Sequence, residues 1–190
     1  MRRLISICVA AAITVAILLV AIPKSYTSPT ENQGAQIVGS WYCLFDFSPY
    51  AGPGTANPGL GTFFRDGNAS YTPGFMFGLF PGHPEATTPS HGTWITTGPR
   101  TFSSTTMAMR FDRVSGVLVG LARARTSFQL ADDVDHVGGI LYYEKVDCVA
   151  PVVCPDPMDP ATVWTPDNPP GGPWHFTGTR IRPLPVGPLP

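Results

Sequence analysis

His91-Gly92-Thr93-Trp94-Ile95-Thr96-Thr97-Gly98-Pro99-Arg100-Thr101-Phe102 runs a strand pattern into Gly98-Pro99 and a second strand pattern straight out of it. A Gly-Pro step between two such runs is a hairpin signal. Downstream, as far as Leu130, another long β-type run is broken only at residues 112–116. Sequential hairpins build a meander, and a meander of enough strands closes on itself.

Upstream, residues 38–47 read as the first strand, with Trp41, Cys43, Phe45 and Phe47 on one face and Tyr42, Leu44 and Asp46 on the other. A Pro/Gly-rich loop at 48–59 leads to a strand at 60–65. Asp66-Gly67 is a hairpin turn, and 68–72 is the returning strand. Residues 74–80, with Phe75, Phe77 and Phe80, form either a short strand or a hydrophobic loop that plugs or rims a cavity, and 81–90 is a loop. Strands follow at 92–97, 100–111, 117–130 and 139–147. Residues 148–172 are proline-rich and aperiodic, 174–182 is the closing strand, and 183–190 is a disordered proline-rich tail. The expectation is an all-β domain over residues 38–182, a closed antiparallel up-and-down barrel of about eight strands.

The remaining composition fits a chain built of turns and strands. With 20 Gly, 22 Pro and only 13% charged residues in 190, few stretches outside the N-terminus can form a helix. Residues 1–24 open with Arg2-Arg3 and continue with an uncharged apolar run at 4–22, an N-terminal hydrophobic helix. It is either an uncleaved membrane anchor, for which the run is long enough, or a secretory signal, for which no clean small-x-small cleavage site follows. Residues 25–37 are a polar linker. Both alternatives place the barrel outside the cytoplasm, with the membrane as a partner of the N-terminal segment. Cys8 lies too early in the run for lipoprotein processing. Without Arg2, Arg3 and Lys24, nine basic residues face 13 acidic ones, and no basic patch recommends nucleic acid as a partner.

Export favours disulfides. Cys148 and Cys154 flank a short loop and are expected to pair; Cys43, inside a strand pattern, is expected to be a buried free thiol. Their spacing does not resemble a zinc site.

Gly39-Ser40-Trp41 resembles the Gly-x-Trp of lipocalins and other calycins. The segments at 62–67, 91–94, 98–102 and 177–181 together are similar to an uncharacterised, mostly bacterial, lipocalin-like group. The resemblance covers roughly residues 38–182. It implies that an Arg of the last strand, Arg180 or alternatively Arg182, packs across Trp41 and closes the barrel base. A guanidinium over an indole is worth about 0.5–2 kcal/mol. The group has no agreed activity to carry over. Where typical lipocalins have a helix before the last strand, this chain has the proline-rich segment 148–172.

Candidate ligand-lining residues are Phe63, Trp94, Phe102, Leu118, Ala122, Ala124, Phe128, Tyr142 and Glu144. The strand at 117–130 carries Leu118, Gly120, Ala122, Ala124, Thr126, Phe128 and Leu130 on one face, small in its middle, with Arg123 and Arg125 on the other. Small inward residues leave room for a ligand or for bulky neighbours. An inward Glu144 would be a buried carboxylate with a raised pKa unless paired; otherwise it sits exposed beside the barrel mouth. His83, His91, His136 and His175 have no convergent carboxylates in sequence. Asp132, Asp133 and Asp135 lack calcium-loop spacing. The Asn68-Ala69-Ser70 sequon matters only in a eukaryotic source. No catalytic motif, cofactor or metal site is expected. The leading expectation is a binding module for a small apolar ligand; the alternatives are a barrel isomerase or cyclase using Glu144 or His91, and a cell-envelope interaction module that uses the proline-rich segment.

Overall fold

The computed structural model describes residues 34–46, 48, 54–74, 84–149, 153–167 and 172–183. The chain divides into Met1–Thr30, which lies outside those residues, and Glu31–Pro190. The expected N-terminal helix, most of the linker, Phe47, Phe75, Phe77, Phe80, His83 and most of the tail likewise lie outside them.

Ten strands form: β1 (Gly39–Asp46), β2 (Ala56–Phe63), β3 (Asn68–Pro73), β4 (Glu85–Thr87), β5 (Ser90–Gly98), β6 (Thr101–Asp112), β7 (Leu118–Leu130), β8 (His136–Asp147), β9 (Thr165–Pro166) and β10 (Trp174–Arg180). All but β4 and β9 close into one antiparallel, eight-stranded up-and-down barrel, with β10 hydrogen-bonded to both β8 and β1. Closure pairs the first and last strands and removes the edges they would otherwise expose. The two-residue period works as expected in β1, where Trp41, Cys43 and Phe45 are buried and Tyr42, Leu44 and Asp46 are exposed.

Several boundaries differ from the sequence reading. β2 starts at Ala56 rather than at residue 60, with Asn57, Pro58 and Gly59 already paired to Phe45, Leu44 and Cys43. Gly59 is required there, because a Cβ would stand 2.2 Å from the Tyr71 hydroxyl. β8 starts at His136 rather than at 139, held by pairing to Thr177, Gly178 and Thr179. Two segments read as loops contribute short strands. β4 extends the edge of β6 beyond β5, and β9 extends the edge of β8 beyond β10. Both raise the wall at one end of the barrel.

The opposite end is closed by Trp41 and Arg180, which are partners in the β1–β10 register. The Arg180 guanidinium lies 4.3 Å from the centre of the fully buried Trp41 ring. The Trp41 Nε1–H donates to the Ile37 carbonyl at 3.0 Å. Arg180 donates to the carbonyls of Val38 at 2.9 Å and Val134 at 3.0 and 3.1 Å, and to that of Gln36. Val134 has φ of 55°, a strained value for a β-branched residue, and its carbonyl is held by these Arg180 donors. Arg182, the alternative candidate, pairs with Asp135 instead.

Above this closure the interior is aromatic. Trp94, Phe102, Phe128 and Phe176 follow one another with centroid separations of 5.9, 5.6 and 6.3 Å, and Phe63 contacts Phe128 at 5.2 Å. Cys148 and Cys154 form a disulfide that closes a loop also pinned by the Val149–Val153 bridge; such a bond suits an oxidising compartment. Cys43 is free, and burial pushes its thiol up to about 12.

Arg180→Ala is expected to destabilise the barrel by about 3 kcal/mol, from the lost cation–π contact and the charged hydrogen bonds. Arg180→Lys, which keeps the charge but not the fork, should recover only part of that. Urea unfolding followed by tryptophan fluorescence measures both; equal stability of all three proteins would show that the base is held by something else.

Candidate functional site

At the end away from Arg180 the inward side chains become small, and the barrel is hollow. A cavity of about 230 Å³ opens there, walled by Ala108, Ala122 and Ala124 on one side and by Phe45, Tyr71, Leu141, Tyr143 and Trp174 around it. A second void of about 50 Å³ lies deeper, bounded by Trp41, Phe63, Phe128 and Phe176. Ala108 faces Ala122 in the β6–β7 register, so two neighbouring strands give up side-chain volume at the same level.

The rim carries charge in compensated pairs. β4 brings Glu85 to the cavity and the segment after β9 brings Asp167. Glu85 accepts from Arg110 at 2.6 and 2.8 Å; Asp167 lies 3.3 Å from Lys145. Arg110 points inward from β6 with its side chain 3% exposed, and reaches across β7 to Asp147 at 2.9 Å. Its Nη1 would lie 2.7 Å from a Cβ at residue 120, so Gly120 is the opening through which it passes. Burial opposes the charge on Arg110, but hydrogen bonds to Glu85 and Asp147 outweigh it and hold the guanidinium above its ordinary pKa. Burial likewise raises the Tyr71 and Tyr143 hydroxyls, which stay neutral. Asn57 also lines the cavity; it is 2% exposed, and among the described residues neither its Oδ1 nor its Nδ2 has a hydrogen-bond partner.

Of the sequence candidates, Ala122 and Ala124 line the main cavity. Phe63 and Phe128 bound the smaller void, while Trp94 and Phe102 pack as floor, with Trp94 Nε1–H donating to the Phe64 carbonyl at 2.9 Å. Leu118 is displaced. A register shift between Arg110 and Phe111 of β6 sets it beside Phe111 at the strand end, and it lines neither space.

Tyr142 and Glu144 are corrections. The inward residues of β8 are Leu141 and Tyr143, so their neighbours point out of the barrel. Tyr142 is exposed beneath Arg125. Glu144 is 8% exposed, but it is buried on the outer wall. It accepts from Arg123 Nε at 2.8 Å and from Arg125 at 2.9 and 3.1 Å, while Trp164 stacks 4.3 Å over Arg123. Desolvation would raise this carboxyl, but the two guanidinium groups more than cancel that and hold it below its ordinary value. It is an ionised structural carboxylate and not a poised acid.

His91 is exposed on β5, and His136 pairs with Asp133 at 2.6 Å. In the acidic loop the exposed Asp132 pairs with Arg100, and Asp135 pairs with Arg180 and Arg182. Among the described residues no three His, Cys, Asp or Glu side chains converge as metal ligands. Sequence reasoning missed Asn57, Tyr71, Arg110 and Glu85. The one available signal was a lone arginine, Arg110, in the inward register of Phe102, Ser104, Thr106 and Ala108.

No known protein family, curated protein or solved structure matches this chain.

Glu144 contributes stability only while ionised. Because its folded pKa lies below the usual 4.5, that contribution is complete above 4.5 and disappears as pH falls through the folded value. The stability gap between the native protein and Glu144→Gln should therefore narrow when urea unfolding is repeated from neutral pH to about pH 3. A gap independent of pH would contradict the pairing.

Proposed function

We propose that this chain is an exported or membrane-anchored, lipocalin-like barrel that binds a small, largely apolar ligand without chemical conversion. The observation that carries the reading is the cavity of about 230 Å³ between the alanine wall and the aromatic floor. An apolar cavity of about 150 Å³ takes up benzene, so this one suits a molecule of roughly nine non-hydrogen atoms. Apolar walls with a few placed polar groups are the usual make-up of small-molecule sites. The Gly39-Ser40-Trp41 motif stacked under Arg180 supports the lipocalin likeness, and the disulfide supports a place outside the cytoplasm.

The isomerase or cyclase alternative loses its two named groups. Glu144 is an ion-paired carboxylate on the outer wall and His91 faces away from the cavity. The interaction-module alternative retains one favourable observation. Val149, Val153, Met158 and Val163 in the proline-rich segment are 66–81% exposed.

Ala122→Phe should fill the cavity from β7 and weaken binding of a small hydrocarbon such as ethylbenzene at least about tenfold, while the fold survives because the ring enters existing space. Titration calorimetry with circular dichroism as the folding control measures this. Unaltered ethylbenzene affinity in a folded variant would move the binding site elsewhere.

A further inference from the structure

The geometry points to Asn57 as the polar anchor of the cavity, and to a neutral carboxamide on a small apolar body as the ligand it receives. This rests on the carrier reading above. Asn57 is all but fully buried, lines the hollow, and has both ends of its side-chain amide unpaired among the described residues. Buried polar groups are nearly always satisfied, because an orphaned donor or acceptor forfeits its hydration without compensation. Other polar groups at the same cavity are engaged. The Ser90 hydroxyl donates to the Tyr71 carbonyl at 3.1 Å, Glu85 is held by Arg110 and Asp167 by Lys145. Asn57 is also well fixed, paired with Phe45 across the β1–β2 ladder and followed by Pro58, whose ring restricts the backbone.

The chemistry of the orphan pair selects its complement. A side-chain amide presents donors and an acceptor side by side. A ligand carboxylate could accept from Nδ2 but would leave Oδ1 bare, in a cavity already lined by the carboxylates of Glu85 and Asp167. An ammonium could satisfy Oδ1 only, and a hydrocarbon neither. A ligand carboxamide satisfies both at once through two parallel N–H···O bonds. The match survives turning the Asn57 amide over, because the pair is symmetric in donors and acceptors. Nine non-hydrogen atoms, the size set by the cavity, describe benzamide.

The test compares benzamide, benzoate and ethylbenzene by titration calorimetry against the native barrel and Asn57→Leu, with Tm recorded for both proteins unliganded. Benzamide should bind the native protein at least about tenfold tighter than either other probe. In Asn57→Leu that preference should vanish or reverse towards ethylbenzene, and the unliganded Tm should rise because the unpaired amide is gone. Three probes binding the native protein alike, a benzamide preference that persists in Asn57→Leu, or a lowered Tm in that variant would each overturn the assignment. Ethylbenzene binding without a benzamide preference removes the anchor but leaves the carrier reading standing; no binding by any of the three removes both. An Asn57→Leu that does not fold counts with the lowered Tm and overturns the assignment.

Discussion

One guanidinium holds the two ends of this sheet together. Arg180 stacks on Trp41 and at the same time satisfies carbonyls from the segment before β1 and from the β7–β8 turn. It therefore joins three stretches of chain that are distant in sequence, its stacked face against the buried Trp41 ring and its outer donors on half-exposed carbonyls. The acidic turn follows from this. Asp135 supplies the countercharge beside Arg180 and Arg182, and Val134 accepts an unfavourable backbone angle so that its carbonyl faces the same group.

With the base fixed, side-chain volume along the strands decides where space remains. The ring sequence from Trp94 to Phe176 fills the lower interior, and offset or edge-on pairs of this kind add about 0.5–1.5 kcal/mol each beyond simple burial. Higher up, Ala108, Ala122 and Ala124 give the volume back. β4 and β9 then extend the wall around that hollow, each delivering a carboxylate opposite a base from a neighbouring strand. The fold thus has a packed, closed end and a hollow one.

Much of the architecture was readable from residue order alone. Alternation in the run from Leu118 to Leu130, the turns at Asp66-Gly67 and Gly98-Pro99 and the Cys148–Cys154 pair rest on local chemistry, whereas the Trp41–Arg180 match came from the resemblance carried by Gly39-Ser40-Trp41. β4 and β9 were not readable, because strands of two or three residues have no period; they exist only because β6 and β8 outrun their neighbours. The facing of β8 was ambiguous for a different reason. Leu141, Tyr143 and Lys145 alternate with Tyr142, Glu144 and Val146, so each face offers one tyrosine and one charge. The register opposite Arg123 settles it, and register is a tertiary quantity. Asn57 lay hidden in what reads as a Pro/Gly loop, where a single amide carries no signal until its burial is known.

The placement of β10 between β8 and β1 has a kinetic side. Arg180 donates to a carbonyl 142 positions upstream, so the joint cannot form until nearly all of the barrel has been synthesised. Non-local pairing of this kind folds slowly. Until residues 174–180 arrive, β1 and β8 each present a bare ladder on which a second nascent chain can dock. The interval between making the seventh stave and sealing the eighth is therefore when this protein is most prone to self-association.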